Sequence, residues 1–324
     1  MRIRSTTRAL LSALALLAGA TAGCSTPQAP GSGSAKTALA SEETPAAAQA
    51  CVFYNGKTGE RLDWPSVHAI IAAADIVLVG EQHDNVHGHR LEAALTDAFL
   101  RQAPHAAIAL EMFERHEQGL VDLYLDGRIT AAALVSLTDS ANWGGGANTW
   151  MDWYQPIVDL VKARRFSGAA LVAANAPRTY AKLARIVDFN TLRQLPATEQ
   201  TLFGFPDSTV DDRAYRERFL NHIQDASHAM SGEPTSYYRA QQVWDATMAE
   251  SVVRAYQRHH KVMLFVGEFH LAHQGGILQH TRRAVPEARI STLSILRSAT
   301  PDVFGATDTG RADIIGYTQA ADDQ

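Results

Sequence analysis

Short, continuous apolar runs recur along the chain, each ending in a glycine or a polar residue. Ile76–Val79, Ala106–Leu110, Ala169–Ala173, Val262–Val266 and Ile290–Leu296 have this form, and residues 313–317 make a shorter last one. Runs without polar alternation read as strands covered on both faces. Between them the apolar positions fall at helical spacing. Leu91, Ala94, Leu95, Ala98 and Phe99 do so after the first run, and Trp244, Met248, Val252 and Tyr256 before the fourth. Asp84 or Asn85 stands where it can cap the first of these helices. Pro65, with Ser66, opens an earlier helix through about Ala74, and the turn signals Asn55-Gly56 and Thr58-Gly59 predict a small hairpin before it. Residues 178–260 carry helical patterns and no strand. The expected fold is therefore α/β: a mostly parallel sheet from two βα-type halves, with a large helical insertion at about 178–260.

Composition changes this picture mainly at the N-terminus. Arg2, Arg4 and Arg8 precede an apolar run over residues 9–20, too short to span a bilayer and of the form of a secretory signal. Thr21-Ala22-Gly23-Cys24 is similar to a bacterial lipobox. Residues 1–23 then read as a lipoprotein signal peptide, with Cys24 as the lipidated, palmitate-bearing N-terminus. Ser25 after it resembles an outer-membrane address. An ordinary signal cleaved near Ala22 is the alternative. Residues 24–50 are rich in Ala, Ser, Pro, Gly and Thr, which predicts a disordered tether ahead of a domain over 51–324. Losing the signal's three arginines moves the net charge from -5 to -8, and no basic stripe is visible, which argues against a nucleic-acid partner. Cys51 is the thiol that remains beyond Cys24, so no internal disulfide is expected, and a buried small side chain is its simplest role.

The chemistry sits where the runs end. Gly80-Glu81-Gln82-His83 follows the first strand and Gly267-Glu268-Phe269-His270 follows the fourth. Glu111 ends the second, and Asn175-Ala176-Pro177-Arg178 ends the third. In parallel α/β sheets the functional crevice lies beyond the carboxyl ends of the strands. His83, Glu111 and His270 form a sufficient set for a divalent metal with open positions, with Glu81 or Glu268 as orienting group or general base. A polar cluster that only pins strand ends is the plainer alternative. Arg178 has the fork to hold a carboxylate or propionate. Trp143, Trp150, Trp153 and Tyr154 crowd one loop, either as packing or as the wall of a flat apolar pocket. His87, His89, His273 and His280 are expected near the crevice, and His222, His228, His259 and His260 at the surface.

Taken in order, Gly80-Glu81-x-His83-Asp84-Asn85, Leu110-Glu111-Met112-Phe113, Asn175-Ala176-Pro177-Arg178, Gln242-Val243-Trp244-Asp245-x-x-Met248-Ala249 and Gly267-x-x-His270 resemble the ChaN-like haem-binding uptake lipoproteins. These belong to a wider superfamily with Tiki, TraB and erythromycin esterase proteins. The resemblance implies a haem cofactor and a lipid-anchored, outer-membrane protein of a haem or iron uptake system. It also implies a homodimer around stacked haems, and a tyrosine on the iron. Tyr154 is the first tyrosine to consider, then Tyr237 and Tyr238. Glu268 stands where a smaller residue is expected. The wider superfamily implies instead a metal-dependent hydrolase using His83, Glu111 and His270.

Overall fold

The computed structural model of the chain describes residues 43–143, 146–210, 212–226 and 233–319, with the backbone alone at 224–226. The expected signal peptide, Cys24, the tether to residue 42 and His228 lie outside the described residues. The first described element is α1 (Ala46–Gln49), whose Ala48 is buried. Ordered packing thus starts before Cys51, because small alanine side chains fit under the neighbouring strand β1 (Cys51–Asn55).

β1 turns back into β2 (Arg61–Leu62) as an antiparallel hairpin. The Asn55 carboxamide accepts from the backbone of Lys57 and Thr58, an Asx turn that closes the bend. In α2 (Trp64–Ala73) the cap is Asp63, which accepts from Ser66 N at 2.9 Å, with Pro65 in the first turn. β3 (Ile76–Glu81) leads to α3 (Val86–Gln102), capped by Asn85 through Gly88 N at 3.0 Å. β4 (Ala107–Glu114) follows, then α4 (Gln118–Leu125), α5 (Ala131–Leu137), α6 (Ala147–Trp153) and α7 (Gln155–Arg164). After β5 (Ala170–Asn175) the insertion comprises α8 (Arg178–Ile186), α9 (Phe189–Leu192), α10 (Ala197–Gln200), α11 (Arg213–Ala226) and α12 (Pro234–His259). β6 (Val262–Gly267), α13 (Gly276–Ala284), β7 (Ile290–Ser298) and β8 (Ile314–Gln319) complete the order.

The strands form an eight-stranded sheet in the order β2-β1-β8-β7-β3-β6-β4-β5. Among the described residues, only the β1–β2 and β1–β8 pairs are antiparallel. The α/β fold with its mostly parallel sheet is as the patterning predicts. One connection departs from it: β7 and β8 are parallel, yet no α-helix joins them. Side chains of successive residues go to opposite faces. Val77, Val79, Met263 and Phe265 pack under α3 and α7, whereas Ile76, Leu78, Leu264 and Val266 pack under α12 and α13. Burial on both faces is why these strands carry no polar alternation. Each such side chain contributes roughly 1.5–3 kcal/mol relative to exposure.

β5 is an edge strand, and its backbone is not left open. The Gln118 amide donates to Leu171 O at 2.9 Å and accepts from Ala173 N at 2.8 Å. No helix among the described residues is long and apolar enough to cross a membrane.

Candidate functional site

The two Gly-Glu-x-His segments lie side by side at the centre of the sheet, one residue out of step: Gly80 pairs with Val266 and Glu81 with Gly267. The offset sends the two glutamates to opposite faces. Each glycine makes room for the other copy. A Cβ on Gly267 would stand 2.9 Å from His83 Nε2 and 3.3 Å from Glu111 Oε2, and one on Gly80 would stand 3.2 Å from Glu268 Cα.

Around Gly267 the fold brings His83, Glu111 and His270 together. Glu111 is not at a strand end, since β4 runs on to Glu114 past an irregularity in its pairing with β5. Its Oε2 accepts the Gly267 N–H at 2.5 Å, and its Oε1 lies 3.5 Å from His270 Nε2. His270 comes from the 3-10 turn after β6. Its Nδ1–H donates to Asp245 Oδ1 at 2.6 Å. Asp245 Oδ2 accepts from Tyr215 OH at 2.8 Å, and Gln241 donates to the same hydroxyl at 2.8 Å. Burial opposes a charge on His270, but Asp245 and Glu111 prevail and raise its pKa above the ordinary imidazole value.

His83 is held in the same manner on the other side. Its Nδ1–H donates to Glu81 Oε1 at 2.6 Å, and its ring meets Trp143 edge-on at 5.0 Å. Burial works against the charged ring. The Glu81 hydrogen bond and the fields of Glu111, Glu81 and Glu92 outweigh it and lift the imidazole to about 9. Glu81 itself is pushed up, first by burial and then by Glu92.

Behind Glu81 lies a wholly buried pair from the first turns of α3. His89 Nδ1 is 3.0 Å from Glu92 Oε2 and 3.7 Å from Glu81 Oε2, and His89 Nε2 is 3.0 Å from the His83 carbonyl. His89, expected near the crevice, is instead sealed under the stacked ring of Trp153. Among the described residues, Glu81, His89 and Glu92 are the acidic and imidazole groups whose ligand atoms all lie within 4.8 Å of one another. His83, Glu111 and His270 approach one point without meeting that distance, although Asp245 and the Gly267 amide leave His270 Nε2 and Glu111 Oε1 facing each other at 3.5 Å.

The remaining candidates are placed as follows. Tyr154 is fully buried, and its hydroxyl donates to Glu81 Oε1 at 2.7 Å. Burial, then Glu81, raises its pKa far above the tyrosine range. With its oxygen spent inside the core, Tyr154 offers none to an iron in a pocket, which corrects the order of tyrosines given above. Tyr238 is also buried, donating to Asp212 at 2.5 Å. Trp150 packs on Phe113 and on Tyr154, so the tryptophan loop is chiefly core. Asn175 is buried and turns back to accept from Ala176 N at 2.9 Å. Glu268 faces away from the cluster and accepts from Ser294 and Arg311, each at 3.0 Å. Its extra charge is thereby neutralised at a distance from His83.

A cavity of about 430 Å³ opens beside His270, between α8, α11 and α12. Gln241 and His270 form its floor, and Phe219, Tyr237, Trp244 and Phe269 its walls. Arg178, Lys182 and Arg185 line one side from one face of α8. The Arg178 guanidinium also sits 5.0 Å from the Trp143 ring, and its backbone amide donates to Glu114 at 3.0 Å. His222, expected only as a surface residue, is exposed but lines this cavity and stacks on Phe269. Sequence reading passed over Asp245 and Gln241 as site residues. Their i, i+4 spacing on an otherwise apolar helix face was the available signal.

Residues 67–281 match the profile of the family described as haem-binding uptake, Tiki superfamily, ChaN. ChaN of Campylobacter jejuni, a protein described by its cofacial haem binding, has a similar fold. It is 18% identical with a TM-score of 0.59, over 83% of this chain and 97% of that one. The erythromycin esterase EreC, in an open conformation, is 13% identical with a TM-score of 0.41, over 76% of this chain and 77% of that one. No curated protein matches the sequence. On the match of its central two-thirds, this chain belongs to the ChaN family of haem-binding uptake proteins in the Tiki superfamily.

Proposed function

We propose that this chain binds haem in the cavity between α8, α11 and α12. The cavity itself carries the reading. Haem needs a flat apolar slot, cations for two propionates and a ligand for iron. The volume falls in the usual range for small-molecule sites. Four aromatic rings supply the apolar walls, and Arg178, Lys182 and Arg185 supply the cations. Tyr237 is the tyrosine that faces this space, with the Arg185 guanidinium 3.7 Å over its ring. Tyrosinate is a known haem ligand. The same proposal takes two copies pairing around facing haems, as the cofacial binding of the Campylobacter protein suggests. It also takes Cys24 as a lipid anchor on the outer membrane, within a haem or iron uptake system. Haemin titration followed at the Soret band tests the binding: saturation at micromolar haemin is expected, and a spectrum changed by Tyr237→Phe. Absence of a saturable Soret shift would overturn it. Palmitate labelling that persists in Cys24→Ser would overturn the anchor.

A second reading, a metal-dependent hydrolase, draws on one observation. Two imidazoles are each held at Nδ1 by a carboxylate and border Glu111. At neutral pH a His83 lifted to about 9 donates protons and does not abstract them, which weighs against it as a base. Ester hydrolysis abolished by His270→Ala would favour this reading over haem carriage.

A further inference from the structure

We propose that Glu81, His89 and Glu92 form a buried site for one first-row divalent cation, separate from the haem cavity. The argument begins with His89. A carbonyl oxygen only accepts, so the His83 carbonyl at 3.0 Å requires the proton on His89 Nε2. In the neutral ring, Nδ1 then presents a lone pair. That lone pair faces two carboxylate oxygens, Glu92 Oε2 at 3.0 Å and Glu81 Oε2 at 3.7 Å. Three acceptors directed at one another call for a positive centre between them.

The carboxylates make a second, independent case. Glu81, His89 and Glu92 are 2%, 1% and 0% exposed, so water does not compensate them. Glu81 Oε2 and Glu92 Oε1 are buried without a hydrogen-bond partner. Buried polar atoms are rarely left unpaired, and buried charges are paired or hold a metal. Two carboxylates and a neutral imidazole balance a 2+ ion, and one nitrogen with two oxygens suits Mn²⁺, Fe²⁺ or Zn²⁺. All three ligand atoms lie within 4.8 Å of one another, close enough for one ion to touch each.

Glu81 divides its two oxygens between tasks. Oε2 faces the cation site, while Oε1 holds His83 and accepts from Tyr154. An ion on Oε2 would fix the Glu81 carboxylate and so the direction of the His83 ring that its other oxygen holds. Because the site is sealed, the ion enters as the chain folds and leaves slowly.

The test is to unfold and refold the full chain with Mn²⁺ or Zn²⁺ alone, desalt it, and measure metal per chain. About one equivalent is expected in the native sequence, at least tenfold less in Glu92→Gln, and a higher melting temperature for the native chain with metal than with chelator. His89→Gln serves as the second variant if Glu92→Gln does not fold. The Mn²⁺ form should also give an EPR spectrum unlike the hexa-aqua ion. Metal content below a tenth of an equivalent in the native chain, or content unchanged in both variants, overturns the site. A Glu92→Gln chain that is more stable than a metal-free native chain would show a shared proton in place of a cation. Haemin titration of Glu92→Gln separates the two proposals, since the cavity is lined by other residues.

Discussion

His270 and Asp245 meet at 2.6 Å, both buried, with the imidazole from the turn that follows β6 and the carboxylate from α12. One contact therefore ties the sheet to the helical insertion. Removing one partner of a buried pair costs roughly 3–5 kcal/mol. Asp245→Asn should lose on that order at pH 6. The sign follows from His270, whose folded pKa is raised. Its contribution is fully present below the ordinary imidazole value, near 6.5, and fades as pH rises through the folded one. Urea denaturation at pH 6 and at pH 9 should show a smaller gap at the higher pH. An equal gap at both would contradict the assigned charge on His270.

Gly267→Ala should cost about 1–3 kcal/mol, because its Cβ has no room between His83 and Glu111. Gly119→Ala is the control. It lies in α4 with nothing within 4 Å of the added carbon, so it should gain about 0.5–1 kcal/mol. Denaturant midpoints of the two variants should move in opposite directions.

Tyr154→Phe removes the hydroxyl that donates to Glu81, leaving a buried oxygen less well paired. A loss of about 1–3 kcal/mol is expected, with no change in the Soret maximum of the haemin complex. A shifted Soret band would return Tyr154 to the iron.

Lys182 is exposed on α8 at the cavity's cationic side. Lys182→Glu should weaken haemin binding about tenfold, some 1.4 kcal/mol, and more at low salt than at high salt. Thermal stability should barely move, as for most surface changes. Unchanged affinity at low salt would place the propionates elsewhere.

Cys51 is buried, donates to Ala47 O at 3.2 Å, and burial pushes its thiol up to about 12. At pH 8 the thiolate fraction is on the order of 10⁻⁴. A Cys24→Ser chain should resist a thiol reagent until unfolded. Stoichiometric labelling of the native chain within minutes would contradict this.

The parallel strands were legible because burial on both faces writes itself as unbroken apolar runs, and the pairing of His83 with His270 followed from two strands ending alike. The one-residue offset between β3 and β6 was not legible, since register is a property of the pair. That offset is why Glu81 joins the cluster and Glu268 turns to Arg311. Tyr154 comes first among the tyrosines for iron because it stands beside the tryptophans, whereas α6 and α7 fold it inward beneath His89. Asp245 and Gln241 act through tertiary approach of α12, about thirty residues before the motif they serve.

An open sheet is a template that its own copies can extend. Here two of the hydrogen-bonding positions on the margin of β5 are already taken by the Gln118 amide. A second chain seeking to add a strand must first evict that side chain, and it would bring Arg115, Arg165, Arg254 and Arg258, which line a groove beside β5, against a duplicate set. The opposite margin, β2, has only two residues to grip. Fibre growth is thus discouraged at both ends of the sheet, by an amide at one and by brevity at the other.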